Sequence, residues 1–203
     1  MKRFPLWGFC VPAALGCSSV LAADVDRTNV APDFFRAGRY EVALMSGLMF
    51  SPIGADRNRA TEDYTLTVLQ LGRMLSDVSG SGWLRGNWEL ALEAFGGAVV
   101  KGTGSYVAGG TLWGRYNFVQ ADWRVVPYFQ LGAGAGGTDM DRRLVGETFN
   151  FNLDAAAGMR WFISQNWALN VECRYQHTSN ATIAKHDLGV NAIGPSVGIS
   201  FFF

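Results

Sequence analysis

Apolar and polar residues alternate along most of the chain, from about residue 39 to the C-terminus. The alternation is clearest at 149–162 and 167–175, where every second residue is apolar. Successive side chains of a β-strand point to opposite faces, so this period of two predicts strands with one apolar and one polar face. No helical period of useful length is visible, and the chain is therefore predicted to be all-β. Eight strands are expected, near 39–51, 63–75 (where the alternation is poor), 85–96, 105–119, 123–135, 149–162, 167–179 and 189–203.

The apolar faces can pack into the core of a soluble sandwich, or they can face lipid in a transmembrane barrel. The strands run to about 13 residues, longer than the usual five or six of soluble sheets and enough for a tilted membrane crossing. Charged residues such as Glu93, Asp154 and Arg160 occupy the polar faces in mid-strand, and Glu172 and Arg174 are expected to form an ion pair there. These features favour an eight-stranded antiparallel transmembrane β-barrel with a polar interior.

The predicted connections between strands alternate in length. Segments 52–62, 97–104, 136–148 and 180–188 are long, 120–122 and 163–166 are short, and 76–84 is intermediate. Outer-membrane barrels have short periplasmic turns and longer outer loops, so the four long segments are expected outside and both termini in the periplasm. The chain also ends on Phe203, on the apolar face of its last strand, which resembles the terminal aromatic signature of bacterial outer-membrane barrels. A bacterial outer-membrane location is therefore predicted.

The first residues have the features of a secretory signal peptide. The basic pair Lys2-Arg3 precedes an apolar stretch, and the small residues that follow offer cleavage after Ala22 or Ala23. We therefore interpret 1–23 as a cleaved signal peptide and 24–203 as the barrel domain.

Composition and spacing narrow the classes of function. The 203 residues include 17 Lys+Arg and 17 Asp+Glu, so the net charge is zero and nucleic acid is not expected as a partner. Neither a metal-ligand spacing nor a phosphate-binding glycine loop is present, so no metal and no cofactor are predicted. Two of the 3 cysteines belong to the signal peptide, which leaves Cys173 and no expected internal disulfide. No role is assigned to residues 24–38.

A histidine and a serine follow the alternating run of the seventh strand. Because Trp167 to Tyr175 face lipid at every second position, parity places His177 and Ser179 on the lipid face too. Their Cα atoms are expected about 6.6 Å apart, which lets the imidazole reach the hydroxyl. Polar groups that face lipid are costly and usually functional, and this pair has the composition of the base and nucleophile of a serine hydrolase.

A third group is needed to orient the imidazole. Counting back in twos from Phe203 places Asn191 on the lipid face of the eighth strand, near the membrane level of His177. Asp187, in the preceding loop, is the alternative orienter. The side chain of Asn180, or backbone N–H groups next to it, are candidates for stabilising an oxyanion.

The sequence His-Thr-Ser-Asn-Ala at 177–181, with Gly-Val-Asn at 189–191 and a last strand that ends in Phe, resembles the lipid A 3-O-deacylase family of PagL type. Members of this family are eight-stranded outer-membrane barrels that cleave the ester-linked acyl chain at position 3 of lipid A. The resemblance implies that His177 is the base and Ser179 the nucleophile, and that the third member, Glu in the best-known enzymes, falls on Asn191. It also implies lipid A, or lipopolysaccharide, as the substrate and outer-membrane lipid as the surroundings.

Two other functions stay open on the sequence alone: a phospholipase that uses the same pair of residues, and a small non-catalytic barrel with a structural or binding role. The sequence leaves open whether the barrel forms a homodimer and which acyl chain is preferred. Basic residues in the predicted outer loops are either contacts for lipid A phosphates or ordinary solvated charges. They are Arg57, Arg59, Lys101, Arg142, Arg143 and Lys185.

Overall fold

Eight antiparallel strands close into a single barrel in the computed structural model, which describes residues 34–51, 61–121, 123–181, 183 and 188–203. Strands β1 to β8 are Tyr40–Met49, Asp63–Met74, Gly86–Lys101, Tyr106–Phe118, Val125–Thr138, Phe149–Phe162, Trp167–Ser179 and Val190–Phe202. Each strand pairs with the next along the chain, and β8 pairs with β1 to close the barrel. The predicted eight-stranded antiparallel barrel is confirmed. The predicted signal peptide lies outside the described residues.

Short helical elements occur in two of the connections. A 3-10 turn at Gly82–Leu84 precedes β3, and a four-residue helix α1, Arg142–Val145, lies between β5 and β6. No helix among the described residues is long and apolar enough to cross a bilayer.

Apolar side chains cover the outer surface of the barrel, as a lipid-facing surface requires. In β7, exposed residues from Trp167 to Tyr175 alternate with buried ones from Ala168 to Gln176. Leu92, in the middle of β3, is 61% exposed although it is one of the most apolar residues of its strand. This distribution is the reverse of a soluble sandwich, whose apolar faces would be buried.

Ion pairs fill the middle of the barrel interior. Arg174 contacts Glu93 at 2.7 Å and Glu172 at 3.1 Å, so the predicted pair between Glu172 and Arg174 is confirmed. A second group joins two arginines to two glutamates: Arg115 and Arg160 each contact Glu41 and Glu89. These side chains are almost fully buried, and the mutual pairing offsets the cost of removing their charges from water.

The interior changes character towards the end of the barrel opposite the C-terminal residue, which we call the outer end. Inward residues of β2, namely Tyr64, Leu66 and Val68, are apolar and pack with Val190 and Leu144 in one buried cluster. The apolar face of β2 is thus the inward one in this half, where Thr65 and Thr67 point outward, and it is the outward one from Leu69 on. This change of face explains the poor alternation of its sequence. The interior is polar in the middle and apolar beneath the outer loops.

Two aromatic residues close the opposite end of the barrel. Phe35 is fully buried, and its ring centroid lies 6.0 Å from that of Phe162 and 5.6 Å from that of Phe202. Phe34 stacks on Phe162 as well. The segment 34–38, part of the stretch to which the sequence assigned no role, thus caps this end of the core.

The lengths of β3 and β5 differ from the prediction. The strand β3 continues to Lys101, so the predicted long loop at 97–104 is wrong and the connection is only 102–105. The difference arises at glycine residues. Glycine is typical of loops, but here the missing side chain permits close approach of neighbouring backbones within the sheet. A Cβ on Gly97 would lie 1.7 Å from the Thr65 carbonyl oxygen, and one on Gly136 would lie 2.3 Å from that of Ala108.

Candidate active site

His177, Ser179 and Asn191 lie together at the outer end of β7 and β8. His177 is the direct cross-strand partner of Asn191 in the β7–β8 ladder, and Ser179 is the last residue of β7. All three continue the outward-facing parity of their strands and are partly buried rather than fully exposed. The site therefore opens towards the membrane side of the barrel wall and not into the interior.

Two hydrogen bonds link the three side chains. The Nδ1 atom of His177 lies 2.6 Å from Oδ1 of Asn191, and Nε2 lies 3.1 Å from Oγ of Ser179. Because an amide oxygen only accepts, Nδ1 carries the ring hydrogen and donates it to Asn191. The lone pair of Nε2 then faces the serine hydroxyl. This is the tautomer that a histidine needs to remove a proton from serine.

Tyr175 is a further member of the site that the sequence reasoning did not single out. Its hydroxyl donates to Oδ1 of Asn191 over 2.9 Å, so this oxygen accepts from Tyr175 and from His177. Tyr175 precedes His177 by two residues and shares its face of β7, and this spacing is the sequence signal that could have identified it. Tyrosine is also common at membrane interfaces because its ring is apolar and its hydroxyl is polar, so its presence at this position does not by itself indicate a site.

Of the two remaining candidate residues, Asn180 and Asp187, the structure describes only Asn180. Asn180 is buried, and its Nδ2 donates one hydrogen bond to the carbonyl oxygen of Phe149 over 2.9 Å. The Asn180 side chain and the backbone N–H groups next to it stay the predicted oxyanion donors. Asp187, the alternative orienter, lies outside the described residues, whereas the side-chain oxygen of Asn191 accepts from Nδ1 of His177.

Apolar residues of the neighbouring strands flank the site on the outer surface. On β6, Leu153 is the cross-strand partner of His177 and Phe151 that of Ser179. On β8, Ile193 follows Asn191 on the same face and is 40% exposed. An acyl chain that approaches Ser179 along the outside of the barrel thus meets an apolar wall.

A small cavity lies inside the barrel behind the site. It measures about 20 Å³ and is lined by Tyr64, Val107, Asn152 and Gln176 among others. A space of this size holds about one water molecule. It is too small for a fatty acyl chain.

The two arginines of helix α1 have local acidic partners. Arg143 contacts Asp141 at 2.8 Å and Arg142 contacts Glu147 at 3.6 Å, and both arginines are exposed. Lys101 is the last residue of β3, while Arg57, Arg59 and Lys185 lie outside the described residues. The two arginines are therefore ordinary solvated ion pairs in this arrangement.

Comparison with known proteins gives a family and a fold. A model of the family described as lipid A 3-O-deacylase (PagL) matches residues 71–200, a stretch that includes His177, Ser179 and Asn191. No curated protein sequence matches the chain significantly.

Several solved barrels share the fold. The outer membrane enzyme PagL superposes with a TM-score of 0.52 at 16% identity, covering 78% of this chain and 97% of its own. Neisserial surface protein A (NspA) gives 0.57 at 14% identity, with 81% and 97% covered. The N-terminal barrel domain of OprF from Pseudomonas aeruginosa gives 0.51 at 15%, with 82% and 98% covered. At these identities the likeness shows the fold, that of the small outer-membrane β-barrels, and the predicted location is confirmed.

Proposed function

Because the chain belongs to the lipid A 3-O-deacylase (PagL) family, we propose that it is a serine esterase that removes the ester-linked 3-hydroxyacyl chain at position 3 of lipid A. The observation that supports this most is the hydrogen-bonded series Ser179–His177–Asn191 on the lipid-facing surface. A nucleophile joined to a base, with the base oriented by a third group, is the arrangement that acyl transfer requires.

In the first step of the proposed reaction, Ser179 Oγ attacks the ester carbonyl carbon while Nε2 of His177 takes the hydroxyl proton. The imidazolium that forms keeps its Nδ1–H on the oxygen of Asn191. The tetrahedral intermediate then expels the sugar 3-oxygen, which takes the proton from Nε2 and leaves as a hydroxyl. The acyl group stays on Ser179 as an ester.

In the second step, water attacks the acyl-enzyme and gives a proton to Nε2 of His177. Collapse of the second tetrahedral intermediate returns that proton to Ser179 Oγ. The products are a free 3-hydroxy fatty acid and lipid A that lacks one acyl chain. His177 serves as base and then as acid in each step, which is why the tautomer held by Asn191 matters.

The position of the site at the membrane surface suits this substrate. The ester bonds of lipid A lie at the boundary between head group and acyl chains in the outer leaflet. A nucleophile on the outer end of the barrel wall meets that boundary directly, so the lipid does not have to leave the bilayer. The polar residues of the site, which would be costly in mid-membrane, lie near the polar interface.

The test is mass spectrometry of lipids from outer membranes that contain the wild type or single variants. We expect the wild type to remove one 3-hydroxyacyl group from lipid A, and Ser179→Ala or His177→Gln to lower the rate by at least about 1,000-fold. The matched controls are Ser46→Ala, an outward serine on β1, and His186→Gln, the other histidine of the chain. Both controls should keep full activity.

The same spectra contain the results that would overturn the proposal. Intact lipid A together with lysophospholipid from the wild type would make the protein a phospholipase. No change in any lipid would favour a non-catalytic barrel. Deacylation that persists in Ser179→Ala would support the proposed function but would show that Ser179 is not the nucleophile.

A further inference from the structure

Gly189 immediately precedes β8 and has a backbone conformation that glycine favours. Its φ is +68°, in the left-handed region, and the residue is buried. Its N–H donates to the carbonyl oxygen of Leu144 over 2.7 Å. Leu144 belongs to α1 in the connection between β5 and β6, so this bond joins two outer connections of the barrel.

The direction in which a side chain would leave Gly189 points at the imidazole of His177. A Cβ at position 189 would lie 2.9 Å from Cε1 and 3.6 Å from Nε2 of His177. Carbon atoms do not approach so closely without displacement, and the ring is already fixed at both nitrogens by Asn191 and Ser179. Any side chain at this position would therefore push the imidazole from its place between these two partners.

We propose that Gly189 is a positioning residue for His177, and that the β5–β6 connection holds it in place through the Leu144 carbonyl. This inference rests on the proposed function for its meaning in catalysis. The edge of the ring between the two nitrogens faces Gly189, where a Cβ would lie 2.9 Å from Cε1. Three neighbours thus restrict the position of the imidazole: Asn191 at Nδ1, Ser179 at Nε2 and Gly189 at Cε1.

The connection that holds Gly189 is itself anchored in the core. Leu144 and Val145 are buried and pack in the apolar cluster beneath the outer loops, together with Val190 at the start of β8. Asp141 accepts a hydrogen bond from the N–H of Arg143 and so caps α1. The position of the Leu144 carbonyl is therefore set by buried packing. The hydrogen bond from Gly189 to this carbonyl in turn fixes the position of the Gly189 backbone.

A second reading of Gly189 is that only its φ matters, for the turn into β8. Gly82 separates the two readings, because its φ is +59° and a Cβ there would meet nothing within 4 Å. Gly82→Ala therefore carries the same backbone cost as Gly189→Ala without any contact to His177. The comparison isolates the effect of the imidazole contact.

The kinetic test uses purified, refolded barrels in detergent micelles with lipid A as substrate, with folding checked by circular dichroism. We expect Gly189→Ala to lower kcat on the order of 100-fold with little change in KM, because a small displacement of a catalytic group costs about that much. Gly82→Ala should keep the wild-type kcat. A folded Gly189→Ala protein with wild-type kcat, or an equal loss in Gly82→Ala, would overturn the proposal.

A spectroscopic test does not depend on activity. The chain has 2 histidines, so the Cε1–H signal of His177 is identified in NMR spectra by comparison with His186→Gln. We expect this signal to shift in Gly189→Ala and to stay in Gly82→Ala. In the wild type, we expect a nuclear Overhauser effect between the Cε1 proton of His177 and a Cα proton of Gly189.

The two tests separate the failure of this proposal from the failure of the proposed function. If the wild type leaves lipid A intact but the Overhauser effect and the shift are present, the function fails and the positioning contact stands. If Gly189→Ala does not fold, the Overhauser effect in the wild type decides. Its absence would show that Gly189 does not contact the imidazole and would overturn the proposal.

Discussion

At the scale of single residues, the unusual member of the site is Asn191. The third member of a serine triad is commonly a carboxylate, which orients the histidine and also stabilises the imidazolium by its charge. The amide oxygen of Asn191 can do the first but brings no net charge for the second. Cysteine proteases with a Cys-His-Asn arrangement show that an amide is sufficient as an orienter.

Replacement of Asn191 separates orientation from charge. We expect Asn191→Asp to raise kcat by about tenfold, because a carboxylate keeps the acceptor and adds charge opposite the imidazolium. Asn191→Leu should lower kcat by about 100-fold, less than the roughly 10⁴-fold cost of losing a triad carboxylate function. Both kcat values are measured from the steady-state release of 3-hydroxy fatty acid. Equal rates in all three proteins would show that Asn191 does not orient His177.

Loss of the Tyr175 hydroxyl should have a smaller effect. We expect Tyr175→Phe to lower kcat by about 2- to 10-fold, which corresponds to one hydrogen bond of about 0.5–1.5 kcal/mol. The matched control is Tyr106→Phe, another outward tyrosine at the outer end of the barrel, on β4. A loss in the control as large as in Tyr175→Phe would show that the effect is one of membrane anchoring and not of the bond to Asn191.

At the scale of elements, the pairing of β7 with β8 brings the site together, and much of it could be predicted. Both β6 and β7 alternate clearly, and their predicted bounds are correct. Parity alone therefore places His177 and Asn191 on one face. Parity also gives the face of Tyr175, but its bond to Asn191 depends on side-chain rotamers and could not be predicted. The contact of Gly189 could not be predicted either, because it depends on how a loop packs.

The outer connections are also joined to each other by Asp139, just after β5. Its carboxylate accepts hydrogen bonds from the backbone N–H and hydroxyl of Ser105 and from the N–H of Tyr106. These bonds lower the pKa of Asp139 from 3.8 to about 2, with the Ser105 hydroxyl as the largest cause. Because the folded-state pKa is lowered, the bonds stabilise the connection above the ordinary pKa and are lost as the pH falls towards about 2.

The titration of Asp139 can be followed directly. We expect the amide NMR signal of Ser105 to change with a midpoint near pH 2 in the wild type, and the titration to disappear in Asp139→Asn. A midpoint near the ordinary value of 3.8 would show that the carboxylate does not hold the 102–105 connection.

At the scale of the whole molecule, the barrel separates an interior filled by buried ion pairs and apolar clusters from an apolar outer surface. The buried ion pairs fix the strands to one another, while the apolar exterior holds the cylinder at a defined depth in the membrane. The proposed site on the outer wall then faces lipid directly.

Breaking the interior network should destabilise the barrel. Arg160 contacts Glu41 and Glu89, and Arg160→Met leaves these carboxylates with one buried partner fewer. We expect the free energy of unfolding to fall by about 3–5 kcal/mol, the usual cost of removing one partner of a buried ion pair. The same change at an exposed pair, Arg143→Met, should leave it unchanged. Urea unfolding of both variants checks this, and equal stabilities would contradict a structural role for the network.

The most direct test of the central claim is chemical labelling of the purified barrel in micelles with a lipophilic alkyl fluorophosphonate, followed by peptide mass spectrometry. We predict one phosphonate adduct, on Ser179, that is absent in Ser179→Ala and at least about 100-fold slower in His177→Gln, since the base activates the nucleophile. An adduct on another serine, or labelling of Ser179 at the same rate without His177, would contradict the account.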